Sequence, residues 1–243
     1  LGDVYKRQMH ITRKIDAFVV PSSFTLGKLA EYGISRQKLN HIPTFFNLKE
    51  GNPQVEYKPF VLFVGRIEKQ KGVMSLVKAF QNTDYNLKII GFSNDGYEDE
   101  LKAYLNGKRH HIEFLGKMNF EQIVPYLKSC LCTVVPSEWY DNFPNVILES
   151  FAYKKAVVAT NFGSLPELVR NGETGLTFNY QDVEDFRSKI AYFFAHPTEA
   201  KTMGENAFQN VQTCYSPAEH YNRLMKLFND TVSYTHLTLP TIR

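Results

Sequence analysis

Short apolar runs alternate with longer segments of helical periodicity along the chain from Asp16 onward. Alternation of this kind is typical of a parallel β-sheet whose strands are joined by crossover helices. Because the runs are almost continuously apolar, both faces of the sheet are expected to be covered. The pattern predicts an α/β fold with a Rossmann-like parallel sheet, helices on both faces and further helices at the C-terminal end. The predicted strands are Ala17–Val20, Phe60–Val64, Leu87–Ile90, Ile112–Leu115, Leu131–Val135, Ala156–Ala159 and Gly175–Phe178.

Three segments lie outside this regular pattern. The two ends, residues 1–8 and 232–243, resemble translated sequencing-adapter sequence, so we interpret them as a non-native leader and a non-native tail. Residues 47–58 are polar and lack periodicity, which predicts a linker. This linker divides a short first segment, residues 9–46, from a larger Rossmann-like domain, residues 59–231.

Charge and cysteine content argue against several classes of partner. The chain has 28 basic and 25 acidic residues, a balance that does not indicate nucleic-acid binding. Its three cysteines form no cluster at metal-ligand spacing, so no metal site is expected, and free thiols are typical of a reducing compartment. No apolar run reaches the roughly 20 residues that cross a bilayer. We therefore expect a cytoplasmic protein whose ligands have to be inferred from its motifs.

The first motif follows the predicted strand Phe60–Val64 and reads G-R-I-E-K-Q-K-G, residues 65–72. In a doubly wound sheet, ligands bind at the carboxyl ends of the strands, where helix N-termini offer free N–H groups to phosphate. Arg66 and Lys71 would add two cations there, enough to neutralise a pyrophosphate without a metal. The alternative is a solvated basic turn, because short motifs have low specificity.

The second motif, residues 136–149, follows the strand Leu131–Val135. Pro144 is predicted to be the first helical residue, which places Asp141 just before a helix and Glu149 about 7.5 Å along its axis. The two carboxylates could therefore address different parts of one ligand. The alternative is structural: Asp141 caps the helix, and Glu149, near the apolar face, is satisfied by a hydrogen bond.

The third motif, Asn161–Glu167, lies at another strand end, before a helix with proline in its first turn. Gly163 allows close backbone approach or a positive φ at that point. An ordinary strand-to-helix turn is the alternative. All three motifs fall at the same edge of the predicted sheet, so their residues are expected to meet there.

In order along the chain, the motifs read G-R-x4-K-G, P-S-x3-D-x7-E and F-G-S-x-P-E-L-V-x-N-G-x-T-G-L. Together they resemble the donor-binding domain of the retaining glycosyltransferases of family 4, also described as glycosyl transferases group 1. The resemblance extends from Phe60 to Phe228 and implies one half of a two-domain GT-B fold. Residues 16–22, with Ile42 and Pro43, resemble the last βα unit of the family's N-terminal domain and its linker. The resemblance therefore implies that residues 9–46 are a remnant of the acceptor-binding domain and residues 59–231 the donor-binding domain.

The resemblance also implies roles for individual residues. Arg66 and Lys71 would bind the diphosphate of the donor, and Glu149 would accept hydrogen bonds from the ribose hydroxyls. Asp141 stands where the family has the glutamate that contacts the donor sugar, and its side chain is one methylene shorter. The backbone amides of Asn142, Phe143 and Asn145 would donate to sugar and phosphate. The implied catalytic residues are Arg66, Lys71 and Asp141, and the implied donor-binding residues are Gly65, Arg66, Lys71, Gly116, Lys117, Asp141, Asn142, Phe143, Asn145 and Glu149, with Gly116 and Lys117 near the base.

The activity that the resemblance implies is transfer of a sugar from a nucleotide-sugar donor to an acceptor hydroxyl with retained anomeric configuration, in glycan biosynthesis. The donor is a substrate, and neither a cofactor nor a metal is expected. A UDP-sugar is favoured over a GDP-sugar, with a glycan or lipid-linked acceptor bound by the other domain and a weak association with the membrane surface. Because most of that domain is absent from the chain, this fragment is expected to bind donor but to turn over poorly or not at all.

Two other functions remain open from the sequence. Asp141 and Glu149 could form the acid/base pair of a glycoside hydrolase, although such an enzyme has no need of Arg66 and Lys71 at a phosphate-binding turn. Alternatively, the chain is a non-catalytic or degenerate nucleotide-sugar-binding module, which the aspartate and the missing half both allow. A dinucleotide-dependent oxidoreductase is disfavoured because no G-x-G-x-x-G follows a predicted strand.

Overall fold

The structure is a computed structural model that describes residue 12 and residues 14–47 and 51–237. The expected leader, residues 1–8, lies outside the described residues, as do parts of the expected linker and tail. Residues 232–237 of that tail continue the last helix.

The described residues form a parallel β-sheet surrounded by helices. The strands are β1 (Phe18–Val20), β2 (Leu39–His41), β3 (Phe60–Val64), β4 (Asn86–Ile90), β5 (His111–Gly116), β6 (Cys132–Val135), β7 (Val157–Thr160) and β8 (Gly175–Phe178). The α-helices are α1 (Ser23–Glu31), α2 (Val73–Phe80), α3 (Tyr97–Leu105), α4 (Phe120–Ser129), α5 (Asn145–Ala152), α6 (Leu165–Leu168), α7 (Val183–Ala195), α8 (Pro197–Cys214) and α9 (Pro217–Leu237). Strands β3 to β8 form one parallel sheet in the order β5-β4-β3-β6-β7-β8, while β1 and β2 form a separate parallel pair. The predicted Rossmann-like parallel sheet is confirmed.

Helices cover both faces of the sheet, as the continuous apolar runs predict. Val61 and Phe63 of β3 belong to one hydrophobic cluster, to which α2, α3 and α7 contribute, whereas Leu62 between them belongs to a second cluster closed by α4 and α5. Side chains alternate between the faces of a strand, so these two clusters lie on opposite sides of the sheet. All three residues are at most 3% exposed, so apolar burial stabilises the sheet from both faces.

Strand β2 is the element that the sequence pattern does not predict. Each of the seven predicted strands is present, with both ends within one residue of the prediction. In β2 only Leu39 is buried, because Asn40 and His41 interrupt the apolar pattern. Pairing with β1 and packing against α1 hold this short strand in place. Among the helices of the described residues, none is long and apolar enough to cross a membrane.

Candidate functional site

The carboxyl ends of the sheet strands bring the three sequence motifs together. β3 and β6 are neighbours in the sheet, although β4 and β5 lie between them in the chain. A crevice for ligands opens where strand order changes in this way. The loops 65–72 and 136–144 leave β3 and β6 at this point, and the loop 161–164 leaves the adjacent strand β7. The expectation that the motifs share one edge of the sheet is confirmed.

A glycine fixes the loop after β3 against the loop after β6. Gly72 has a φ of +68°, in the left-handed region, and a Cβ there would stand 1.8 Å from the carbonyl oxygen of Pro136. The amide of Glu138 also donates to the carbonyl of Gln70 at 2.8 Å. The two loops are therefore held together, which places Lys71 beside the loop after β6.

Lys71 and Asp141 form an ion pair between these two loops. Lys71 Nζ lies 2.7 Å from Oδ1 and 2.9 Å from Oδ2 of Asp141. Trp139 Nε1 donates to Oδ1 at 2.9 Å, and the Ser137 hydroxyl donates to Oδ2. The exposed fraction of the side chain is 20% for Lys71 and 10% for Asp141, so water screens this pair less than a surface pair. The interpretation of Asp141 as a helix cap is wrong, because its carboxylate binds these three side chains.

Arg66 has a more open environment on the same loop. Its Nη1 pairs with Glu68 at 2.6 Å, and 51% of its side chain is exposed. Exposed pairs of this kind contribute about 0–1 kcal/mol, so the guanidinium can exchange Glu68 for another anion at low cost. The preceding Gly65 closes the base of the loop, where a Cβ on Gly91 would stand 1.8 Å from the Gly65 carbonyl oxygen.

Glu149 has an environment unlike that of Asp141. It lies on α5 and lines a cavity of about 320 Å³ together with Phe46, Asn47, Phe120 and Tyr153. The carboxylate is half-buried, and burial raises the pKa of Glu149 above its ordinary value. Within the described part of the chain it accepts no hydrogen bond and forms no ion pair, so the predicted structural hydrogen bond of Glu149 is absent there.

The start of α5 lines a second cavity, of about 380 Å³, to which Asn142, Phe143 and Asn145 contribute. Among the described residues, none accepts a hydrogen bond from the backbone amides of these three. The prediction that Pro144 is the first helical residue is wrong. The helix begins at Asn145, and Pro144 is its N-cap, with a ψ of 118°. Free amides and the positive end of the helix dipole together favour an anionic ligand at this point.

The sequence profile described as Glycosyl transferases group 1 matches residues 45–210, which include the whole of all three motifs. The chain belongs to this family. The match confirms the resemblance to the glycosyl transferases group 1 family.

Relatives of this chain include proteins that are named as glycosyltransferases. A Methanocaldococcus jannaschii protein named as a glycosyltransferase is 36% identical over 149 residues, which cover 60% of the chain and 41% of the relative. The D-rhamnosyltransferase of Pseudomonas aeruginosa is 32% identical over a match that covers 61% of the chain and 39% of the relative. The lipopolysaccharide core biosynthesis mannosyltransferase of Rhizobium leguminosarum is 29% identical over a match that covers 68% of the chain and 49% of the relative. The matched part of the chain spans less than half the length of each of these relatives.

Solved structures show the same fold. Sucrose-phosphate synthase from Thermosynechococcus elongatus superimposes with a TM-score of 0.79 at 24% identity, covering 94% of this chain and 62% of the synthase. An Anabaena protein solved in complex with UDP-glucose gives a TM-score of 0.76 at 17% identity, covering 88% of this chain and 64% of that protein. The likeness confirms the α/β class and the Rossmann-like half of a GT-B fold.

Gly116 and Lys117 lie at the end of β5, the outermost strand on one side of the sheet. Gly116 has a φ of +75°, and its carbonyl accepts from the amide of Gly91 at 2.9 Å. Lys117 Nζ lies 4.7 Å from the centroid of the Phe92 ring. Neither residue lines the cavity of Glu149, so the structure does not bring these two predicted residues to that carboxylate.

Glu167 forms contacts that the third motif does not predict. Its carboxylate accepts hydrogen bonds from the amides of Ser23 at 2.8 Å and Phe24 at 2.6 Å, at the start of α1. The Thr25 hydroxyl also donates to Asn142 Oδ1 at 2.5 Å. The first segment is therefore docked on the loops of the candidate site. No local pattern could reveal this contact, because its partners are separated by more than a hundred residues.

Proposed function

We propose that this chain binds the nucleotide-sugar donor of a retaining glycosyltransferase, which transfers the sugar to an acceptor hydroxyl. The observation that carries the proposal is the carboxylate of Glu149, half-buried in a cavity without a partner among the described residues. An ionised carboxylate only accepts hydrogen bonds, and two adjacent ribose hydroxyls can supply them. A polar group in this state gains more from a ligand than one that is already satisfied.

Charge at the same edge of the sheet supports a diphosphate ligand. Arg66 is half-exposed and can release Glu68, and Lys71 lies on the same loop. The amides at the start of α5 add fixed dipoles directed at an anion. In the proposed reaction these groups stabilise the negative charge that grows on the departing nucleoside diphosphate, so that no metal is required.

We propose a UDP-sugar as the donor in preference to a GDP-sugar. The Anabaena protein that shares the fold is known from its structure with UDP-glucose. We place the reaction in glycan biosynthesis, because relatives include the lipopolysaccharide core mannosyltransferase of Rhizobium leguminosarum. The acceptor would be a glycan or a lipid-linked sugar at the cytoplasmic face of the membrane.

Turnover is expected to require the acceptor-binding half as well. On that side of the candidate site, residues 14–46 supply β1, α1, β2 and the 3-10 helix Arg36–Lys38. Residues 59–231 would act as the donor-binding domain, and the chain by itself would bind donor with little or no transfer.

Fluorescence of Trp139 provides a direct test of donor binding. It is the single tryptophan of the chain, and its Nε1 donates to Asp141 inside the candidate site. The chain is titrated with UDP, GDP and ADP. We expect saturable binding that is tightest for UDP and weaker in Arg66→Ala, because a phosphate loses one cation.

A matched control is Lys69→Ala. Lys69 is on the same loop, but its side chain is 72% exposed and pairs with Glu100 at 3.4 Å. This variant should bind UDP as the unmodified chain does. Absence of binding for all three nucleotides, in a sample with a cooperative unfolding transition, would contradict the proposed donor site.

A further inference from the structure

We infer that Asp141 is a positioning residue: it holds Lys71 for the diphosphate of the donor and does not contact the donor sugar. The inference rests on the proposed function, because it concerns the same ligand. It differs from the role that the resemblance implies for this acid, and the difference follows from the hydrogen bonds of one carboxylate.

Every acceptor position of the Asp141 carboxylate is occupied. A carboxylate offers about four lone-pair sites, two on each oxygen. Oδ1 accepts from Lys71 at 2.7 Å and from Trp139 at 2.9 Å, while Oδ2 accepts from Lys71 at 2.9 Å and from the Ser137 hydroxyl. A sugar hydroxyl would have to displace one of these donors, so the carboxylate is a poor ligand for the donor sugar.

Hydrogen bonds also hold the backbone of Asp141 in place. The hydroxyl of Ser164, which is fully buried, donates to the Asp141 carbonyl at 2.5 Å. The Asp141 amide donates to the carbonyl of Trp139 at 2.8 Å. Its position is therefore set by the loops after β6 and β7, and the carboxylate cannot swing towards a different ligand without breaking several contacts.

The Asp141 carboxylate restricts the side-chain conformation of Lys71. A free lysine side chain has many rotamers, and confining it carries a large entropic cost. Two N–H groups of its ammonium reach the two oxygens of Asp141, which leaves a third for an anion in the crevice. The ammonium also lies 5.4 Å from the centroid of the Trp139 ring. Asp141 thus orders Lys71 before the donor arrives, which reduces the cost of binding.

The experiment compares UDP with UDP-glucose, measured by calorimetry because substitution at Asp141 changes the environment of Trp139. In Asp141→Asn we expect both ligands to bind more weakly by the same factor, roughly 3- to 30-fold, the range that loss of ordering in one lysine side chain produces. In a Lys71→Met background, the same substitution should change neither affinity by more than about twofold, because the residue through which it acts is gone.

Three outcomes would overturn the inference. Weaker binding of UDP-glucose with unchanged binding of UDP would assign Asp141 to the sugar. Tighter binding of UDP would make it a competitor for Lys71, and an undiminished effect in the Lys71→Met background would show that it acts elsewhere. Failure of the unmodified chain to bind either ligand would instead remove the proposed function itself, so the two failures are distinguishable.

Two further variants complete the test: one that the fold should tolerate, and one that makes the same chemical change away from the site. Trp139→Phe removes one donor to Oδ1 from a side chain that is 42% exposed, so the fold should tolerate it. It should weaken UDP and UDP-glucose in equal proportion, whereas a loss confined to UDP-glucose would count against the inference. Asp84→Asn makes the same chemical change at a side chain that is 78% exposed, and it should leave both affinities unchanged.

Discussion

The loop that carries Asp141 and the cavity that contains Glu149 differ in how they satisfy a carboxylate. Asp141 accepts hydrogen bonds from three side chains, one of which is the ammonium of Lys71. Glu149, on the helix that follows this loop, lines its cavity with no such donor among the described residues. Burial raises the pKa of Glu149, because it removes solvent from around the charge and no group in the described part of the chain offsets that loss.

The difference shows that two acids of one sequence motif can have opposite roles. A satisfied carboxylate holds its neighbours in place and gains little from a ligand, whereas an unsatisfied one lowers stability until a ligand supplies donors. Substitutions should therefore lower stability in the region of Asp141 and leave it unchanged or raise it at Glu149, although they weaken binding in both regions. The predictions below test this contrast, starting with the largest expected effect.

Gly72→Ala tests whether the loop after β3 must be packed against the loop after β6. A left-handed φ costs a residue with a Cβ about 1–2 kcal/mol, and overpacking adds about 1–3 kcal/mol, so we expect a loss of about 2–5 kcal/mol. Urea denaturation measures it. Gly116→Ala is the matched control, because Gly116 has a φ of +75° but a Cβ there would meet no atom within 4 Å. Equal losses in both variants would mean that the contact with Pro136 has no energetic role.

Lys71→Met tests the ion pair directly. Asp141 would keep only its two neutral donors, and we expect the free energy of unfolding to fall by about 1–3 kcal/mol, less than for a fully buried pair because Lys71 is partly exposed. Chemical denaturation of the chain without nucleotide measures the change. Lys69→Met, at the exposed lysine of the same loop, should stay within about 0.5 kcal/mol of the unmodified chain. If Lys71→Met lost no more unfolding free energy than Lys69→Met, the ion pair between Lys71 and Asp141 would not stabilise the fold.

The sequence predicts the sheet and the meeting of the three motif loops at one edge, but not which side chains pair there. Strand runs and their order place Lys71 and Asp141 at one edge, since parallel strands end together. Their ion pair joins residues 70 positions apart and depends on the left-handed turn at Gly72. Neither propensity nor periodicity carries that information. The isolated state of Glu149 likewise depends on which side chains meet in three dimensions, among them Phe46 from the first segment.

Glu149→Gln tests the other side of the contrast. We expect UDP to bind roughly tenfold more weakly, because a hydrogen bond to a charged acceptor is replaced by a neutral one. The free energy of unfolding should stay within about 0.5 kcal/mol or rise, since an unpartnered charge is removed. Calorimetric titration and urea denaturation measure the two quantities. The control is Glu121→Gln, at an exposed glutamate of α4. If Glu149→Gln were less stable but bound UDP with unchanged affinity, Glu149 would be a structural residue.

The smallest expected effect is a pH dependence of stability that originates at Glu149. An unfolded glutamate titrates near pH 4.3, at about its ordinary pKa, whereas burial raises the pKa of Glu149 in the folded chain. Between these two values the folded state binds more protons than the unfolded state, so stability falls as the pH rises through this window. Above the folded-state pKa the loss is complete.

Glu149→Gln should lack this loss, and its advantage over the unmodified chain should grow as the pH rises through that window, at less than about 1.4 kcal/mol per pH unit. Urea denaturation without nucleotide, repeated at several pH values from about 4 to 7, measures the difference between the two proteins. A difference that stays constant across the range would mean that Glu149 is as well solvated in the folded chain as in the unfolded one. The contrast with Asp141 would then be one of hydrogen-bond partners alone, and a ligand would have to be attracted by the shape of the cavity rather than by relief of a buried charge.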